Sequence, residues 1–105
     1  MRLVVNTEGK RFLVTRETDE KRDVNGRQRV DKRTGQALFT VQVTALDETG
    51  AEVLNVTVAG TPPRVTVGQY VTLVELEAIP WAQDGRNGVA FRAKDIVPAA
   101  HVKAA

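Results

Sequence analysis

The chain contains no cysteine and no serine, and its single histidine, His101, stands near the C-terminus. The absence of cysteine excludes a disulfide framework, a thiolate metal site and a cysteine nucleophile. The absence of serine excludes serine-hydrolase chemistry, and a threonine nucleophile has no histidine base within the body of the domain. Glu75, Glu77 and Asp84 have neither a nucleophile nor metal-binding histidines to work with, so no enzyme activity, cofactor, metal or small-molecule substrate is expected. No apolar run approaches the roughly 20 residues that span a bilayer, and the first residues lack a basic start followed by an apolar stretch. A cytoplasmic protein with no membrane partner is the expectation.

The 105 residues fit one domain, large enough to bury a core unaided. A net charge of +2 says little, but its distribution says more. Nine cations lie between Lys10 and Arg33, against five acids (Glu17, Asp19, Glu20, Asp23, Asp31). Five of the nine, through Arg29, are arginines, whose flat guanidinium suits bidentate phosphate contacts. The alternative is a solvated, salt-bridged loop, since interleaved acids dilute the field.

Period-two alternation places strands along most of the chain. Leu3–Val5 suits a short edge strand or an unpaired arm, and residues 7–10 a turn. Phe12 and Val14 share one face of a first strand over 11–18. From Glu20 to Gln36 the only apolar side chains of any size are Val24 and Val30, and Asn25-Gly26 is the strongest short signal for a type I′ turn, so this stretch reads as an exposed β-ribbon or a loop. Strands over 37–46 and 52–59 follow, paired across Asp47–Gly50. Phe39, Val41, Val43, Leu54, Val56 and Val58 point inward, while Thr40, Gln42, Thr44, Asn55 and Thr57 form a polar outer row. Gly60–Arg64 interrupts the pattern, leaving room for at most a turn or two of helix over 62–67. Gly68–Pro98 then reads as a hairpin around a loop from Pro80 to Gly88. In its first arm Val71 and Leu73 share one side, but Val74, Leu76 and Ala78 the other, which implies a bulge or a bend from one sheet region into another. In its second arm Val89, Phe91 and Ala93 point inward, against Arg92 and Lys94 outward. The tail 99–105 is alanine-rich and expected to fray.

Five β runs with one non-helical connection and no long helix suggest a small closed barrel, since closing the sheet lets so short an all-β chain avoid exposed edges. A charged ribbon closed by Gly35, a strand pair across Asp47–Gly50, Val67-Gly68-Gln69-Tyr70-Val71 at the start of the fourth strand and a hairpin ending Asp95-Ile96-Val97-Pro98 resemble the single-stranded-DNA-binding proteins of filamentous phages. Similar small proteins belong to plasmids and integrative elements of high-GC bacteria. The resemblance spans Arg16 to Pro98 and lies in pattern rather than identities. It implies an all-β fold, a five-stranded OB-type Greek-key barrel with an extended basic β-ribbon over 16–36, usually a two-fold homodimer. It also implies cooperative, sequence-tolerant binding of single strands, with arginines on phosphates and aromatics on bases. The chain departs from that pattern where the family carries exposed aromatics: here stand Ala37 and Leu38, and the last hairpin tip has Arg86-Asn87.

The candidate nucleic-acid-binding residues are therefore Arg16, Lys21, Arg22, Arg27, Arg29, Lys32 and Arg33 on the ribbon, Trp81 and Arg86 on the last loop, and Arg92 and Lys94 beside it. The expected partner is single-stranded nucleic acid, DNA in preference to RNA, in replication or transfer of a mobile element. With so few aromatics, charge has to carry more of the binding, since each stacked base contributes only about 1–3 kcal/mol. Trp81 is either a stacking platform or a lid over the end of the core. The rival function is a protein-interaction module using the same barrel, favoured by the mixed charge of Asp19, Glu20, Asp23 and Asp31.

Overall fold

The computed structural model of the protein describes residues 2–99. The strands in chain order are β1 (Leu3–Val4), β2 (Arg11–Glu20), β3 (Leu38–Asp47), β4 (Gly50–Ala59), β5 (Tyr70–Val74), β6 (Glu77–Gln83), β7 (Arg86–Arg92) and β8 (Asp95–Pro98). No helix occurs among the described residues; the connection over 62–67 is irregular. All eight strands belong to one mixed sheet, ordered β1-β6-β7-β4-β3-β2-β5-β8, which curls into a half-barrel. The expected tail lies outside the described residues apart from Ala99, whose N–H donates to the Tyr70 carbonyl at 3.0 Å.

Eight strands stand where five were expected, for two reasons. Leu3 and Val4 do pair, opposite Ala78 and Glu77 on an edge. The long hairpin is also bent, so each of its arms counts as two strands. Glu75 adopts φ 50°, a left-handed conformation that L-residues enter at a cost of about 1–2 kcal/mol. This residue turns the chain so that Leu73 and Leu76, three apart, both enter the core, 4% and 2% exposed. On the facing arm Ala93 and Ile96 do the same. Pairing holds its register across the bend, with Glu77 opposite Arg92 and Val74 opposite Asp95. The change of face seen in the sequence is thus a bend that keeps one core.

The β2-β3-β4 meander supplies most of the rest of the core, with Phe12, Val14, Val41, Val43, Leu54, Val56 and Val58 buried, and Val65 and Val71 complete it. Phe39 is only half-buried and lies outside this core, and Leu38 beside it is buried instead. The bent hairpin meets both outer edges of the meander. β5 runs antiparallel to β2, with Phe12 opposite Val71, and β7 runs parallel to β4, with Thr57 opposite Arg92. At the β3–β4 turn the Asp47 carboxylate accepts the Thr49 N–H at 2.8 Å and Lys10 Nζ at 2.8 Å, which holds it well below the usual carboxylate range.

Register shifts interrupt the β2–β3 ladder between Val14 and Arg16, and Arg16 faces Gln42 on the outer row. The turns differ from the sequence expectations. The Asn25-Gly26 turn is not type I′. Gly26 N–H donates to the Asp23 carbonyl at 3.0 Å and only Gly26 has positive φ, which gives a three-residue loop with a bulge. Asp23 decides this: its Oδ1 accepts the N–H groups of Asn25 and Arg27, at 2.8 and 3.1 Å. The type I′ turn lies at Asp84-Gly85, both with positive φ, and Trp81 to Gly88 is accordingly strand around a two-residue turn. Val89, expected inward, is 51% exposed because this part of the hairpin projects beyond the core.

Leu76→Ala should destabilise the fold by about 2–5 kcal/mol in urea unfolding, the range for a buried leucine. Val24→Ala, at a fully exposed position, should change it by less than about 0.5 kcal/mol. Equal effects would show that the bend does not anchor the core.

Candidate nucleic-acid interface

The basic stretch is two successive hairpins folded back on the barrel. Three main-chain hydrogen bonds form a ring at their base: Arg29 N–H donates to the Lys21 carbonyl (2.6 Å), Leu38 N–H to that of Arg29 (2.9 Å), and Lys21 N–H to that of Leu38 (3.0 Å). The first hairpin turns at Asp23–Arg27. The second turns at Asp31–Gln36, where Asp31 Oδ1 accepts the N–H of Arg33 at 2.8 Å. Acids that looked like diluents of the positive field are therefore structural. Asp23 and Asp31 hold turns, and Glu20 pairs with Arg22 at 2.7 Å.

Lys21 reaches from this ring onto the outer row, where its Nζ donates to Thr57 Oγ1 at 2.9 Å. Thr57, expected on an open polar face, is covered to 8% exposure. Arg92 lies opposite Thr57 in the parallel register and donates to the buried Asp31 carboxylate, whose pKa falls from 3.8 to about 2. The Arg92 hydrogen bond is the main cause, followed by that from the Arg33 N–H. Burial, and then the charges of Arg29 and Arg92, push the Lys21 ammonium below its ordinary value.

A groove of about 430 Å³ runs from Lys21 and Arg22 over Thr40, Asn55 and Thr57 to Trp81, Val89 and Phe91 on the hairpin. Its far rim is apolar, with Val53, Trp81 and Val89 all about half exposed. Trp81 lies across its strand neighbour Gly88: a Cβ there would stand 2.7 Å from Trp81 Cζ2 and 2.9 Å from Cε2. The bare glycine leaves room for the indole beside the backbone, where Trp81 stays 45% exposed.

Of the residues singled out from sequence, Lys21, Arg22 and Trp81 line the groove, and Arg29 and Arg92 adjoin Lys21. Arg16 extends the outer row. Arg33 and Lys94 lie instead with Arg92 around a neighbouring polar pocket of about 290 Å³, shared with Glu75 and Glu77, and Lys94 stands 3.6 Å from Glu75. Arg27, Lys32 and Arg86 sit exposed at turns or beside them, outside the groove. Tyr70 lies elsewhere, beneath the Arg11 guanidinium at 4.2 Å. Val53 and Val89 were not legible as groove residues, nor Gly88 as the neighbour that makes room for Trp81. Gly88 after Asn87 looks like a turn residue, and Val89 continues an apparently inward alternation. Among the described residues no group of histidine, aspartate or glutamate is placed to hold a metal ion.

Gly88→Ala should displace the indole, altering Trp81 emission and near-UV circular dichroism while changing stability by less than about 1 kcal/mol, because the half-exposed ring can swing away. An unchanged Trp81 spectrum would contradict the packing described. Asp31, with its folded value below 3.8, adds stability at pH above about 4 and loses it as pH falls through about 2. Asp31→Asn should therefore be less stable than wild type at neutral pH, with the difference vanishing towards pH 2. Comparison of the chain with protein-family models, with curated proteins and with solved structures gives no match in any of the three.

Proposed function

We propose that the protein binds single-stranded nucleic acid, DNA in preference to RNA, in the groove between the basic hairpins and the projecting hairpin. The observation that carries this reading is the pairing of opposite chemistries across one groove: cations at Lys21 and Arg22 on one wall, and the half-exposed indole of Trp81 on the other. Phosphates suit the first and bases the second, and neither contact needs a particular sequence. The structural use of Asp23 supports it further, because its carboxylate is taken up by main-chain N–H groups and pairs with no cation among the described residues, whereas Asp31 holds Arg92 alone.

The proposal includes the fold type. Counted with β5 and β6 as one bent arm and β7 and β8 as the other, the five long strands suit an OB-type Greek-key barrel. In that arrangement a meander is bridged by a hairpin lying antiparallel to β2 and parallel to β4. A two-fold homodimer and an accessory role in replication or transfer of a mobile element follow from the resemblance to the phage proteins. A second reading, docking of a protein partner, is favoured by the apolar rim of Val53, Trp81 and Val89.

Titration with oligothymidylate, followed by Trp81 fluorescence and by anisotropy of labelled strand, separates the two. Saturable binding that quenches Trp81 and prefers single strand over duplex is expected. The logarithm of affinity should fall with log salt at a slope of about −2 to −3, as for three or four phosphates near Lys21, Arg22, Arg29 and Arg92. Arg22→Ala should lower that slope by about 0.7. Flat anisotropy at low salt would reject nucleic-acid binding and leave the protein-docking reading.

A further inference from the structure

The inner end of the groove lies beside more positive charge than the neighbouring carboxylates neutralise. The main-chain ring fixes Lys21 and Arg29 as neighbours, and the parallel pairing of β4 with β7 brings Arg92 beside Thr57, on which Lys21 Nζ rests. Arg92 is paired with Asp31. Among the described residues no carboxylate lies within 4.0 Å of the charged nitrogens of Lys21 or Arg29. Lys21 is half-buried and its nearest polar partner is a neutral hydroxyl, so its charge is neither well hydrated nor balanced. Its lowered pKa reflects the same deficit. Three cations against one carboxylate leave two positive charges for an incoming group.

That number discriminates between phosphates. A phosphodiester within a strand carries one negative charge, whereas a phosphate monoester carries close to two at neutral pH and has three equivalent acceptor oxygens. Lys21 on the groove floor, with Arg29 paired to it through the main chain and Arg92 opposite Thr57 behind it, suits the monoester better, both in charge and in the number of donors within reach. Lys21 and Thr57 line the groove that ends at Trp81, so a strand seated by its terminal phosphate has its next bases directed along the groove.

We propose that Lys21, Arg29 and Arg92 form a site for a phosphate monoester dianion, which makes the groove selective for strands with a phosphorylated end. The inference rests on the nucleic-acid reading for the strand but not for the anion. The same chemistry is offered by free phosphate, so the test has an arm for each source.

Unlabelled oligothymidylates of one length, with a 5′-phosphate, a 3′-phosphate or hydroxyls at both ends, compete against a labelled strand on the full chain. One phosphorylated end should compete about tenfold better than the hydroxyl-ended strand. Lys21→Met and Arg29→Met should abolish that advantage, while Arg22→Ala weakens all three competitors alike. Equal competition by all three strands overturns the dianion site and leaves the salt-dependent groove standing. If no strand binds, inorganic phosphate titrated into the ¹⁵N-labelled wild-type protein decides the matter. Saturable shifts of the Lys21, Arg29 and Thr57 amides, stronger when the phosphate is dianionic than when it is monoanionic, support the site. Absent or pH-independent shifts overturn it.

Discussion

A single backbone constraint organises the molecule: the 70–98 hairpin bends at Glu75 without losing register. A straight hairpin would pair with one edge of the β2-β3-β4 meander and leave the other bare. The bent one reaches β2 through β5 and β4 through β7. The strain of a left-handed glutamate is offset by burial of Leu73, Leu76, Ala93 and Ile96 around it, each apolar side chain of that size contributing on the order of 1–3 kcal/mol. The groove depends on the same bend. It sets β7 parallel to β4 and so delivers Arg92 to Thr57, while the remainder of the hairpin projects with Trp81 on its flank.

The second determinant is the ring joining Lys21, Arg29 and Leu38. A segment with almost no apolar side chains cannot order itself by burial, and here main-chain hydrogen bonds and two aspartates supply the order instead. The result is a basic segment held against the sheet, with Lys21 pressed onto Thr57. Burial, and then repulsion from Arg29 and Arg92, makes that position electrostatically unfavourable for a lysine, and an anion would relieve the repulsion.

Much of the fold was legible in the sequence because alternation is a direct record of burial. Val41 and Val43, then Leu54, Val56 and Val58, point inward as their spacing requires, and the change of face after Leu73 marks the bend. What failed were places where one residue outside the pattern resets it. Asp23 overrides the Asn25-Gly26 preference by capturing backbone N–H groups. Val89 keeps the alternation of a core strand although its part of the hairpin has left the core. The cations of the groove could be named as a class, but which of them converge depends on long-range pairings such as Arg92 with Asp31, 61 residues apart. The seat of Trp81 on Gly88 is equally a product of register, invisible until Asp84-Gly85 is identified as the turn.

The central claim is that one groove, between the Lys21 ring and the Trp81 flank, receives a single strand. The most direct measurement is a map of ¹⁵N–¹H shifts during addition of oligothymidylate. The account predicts that the Trp81 indole N–H and the amides of Lys21, Asn55, Thr57 and Gly88 move together and saturate together. Shifts confined to the opposite end of the barrel, around Lys10, Asp47 and Thr49, or no shifts at all, would contradict it.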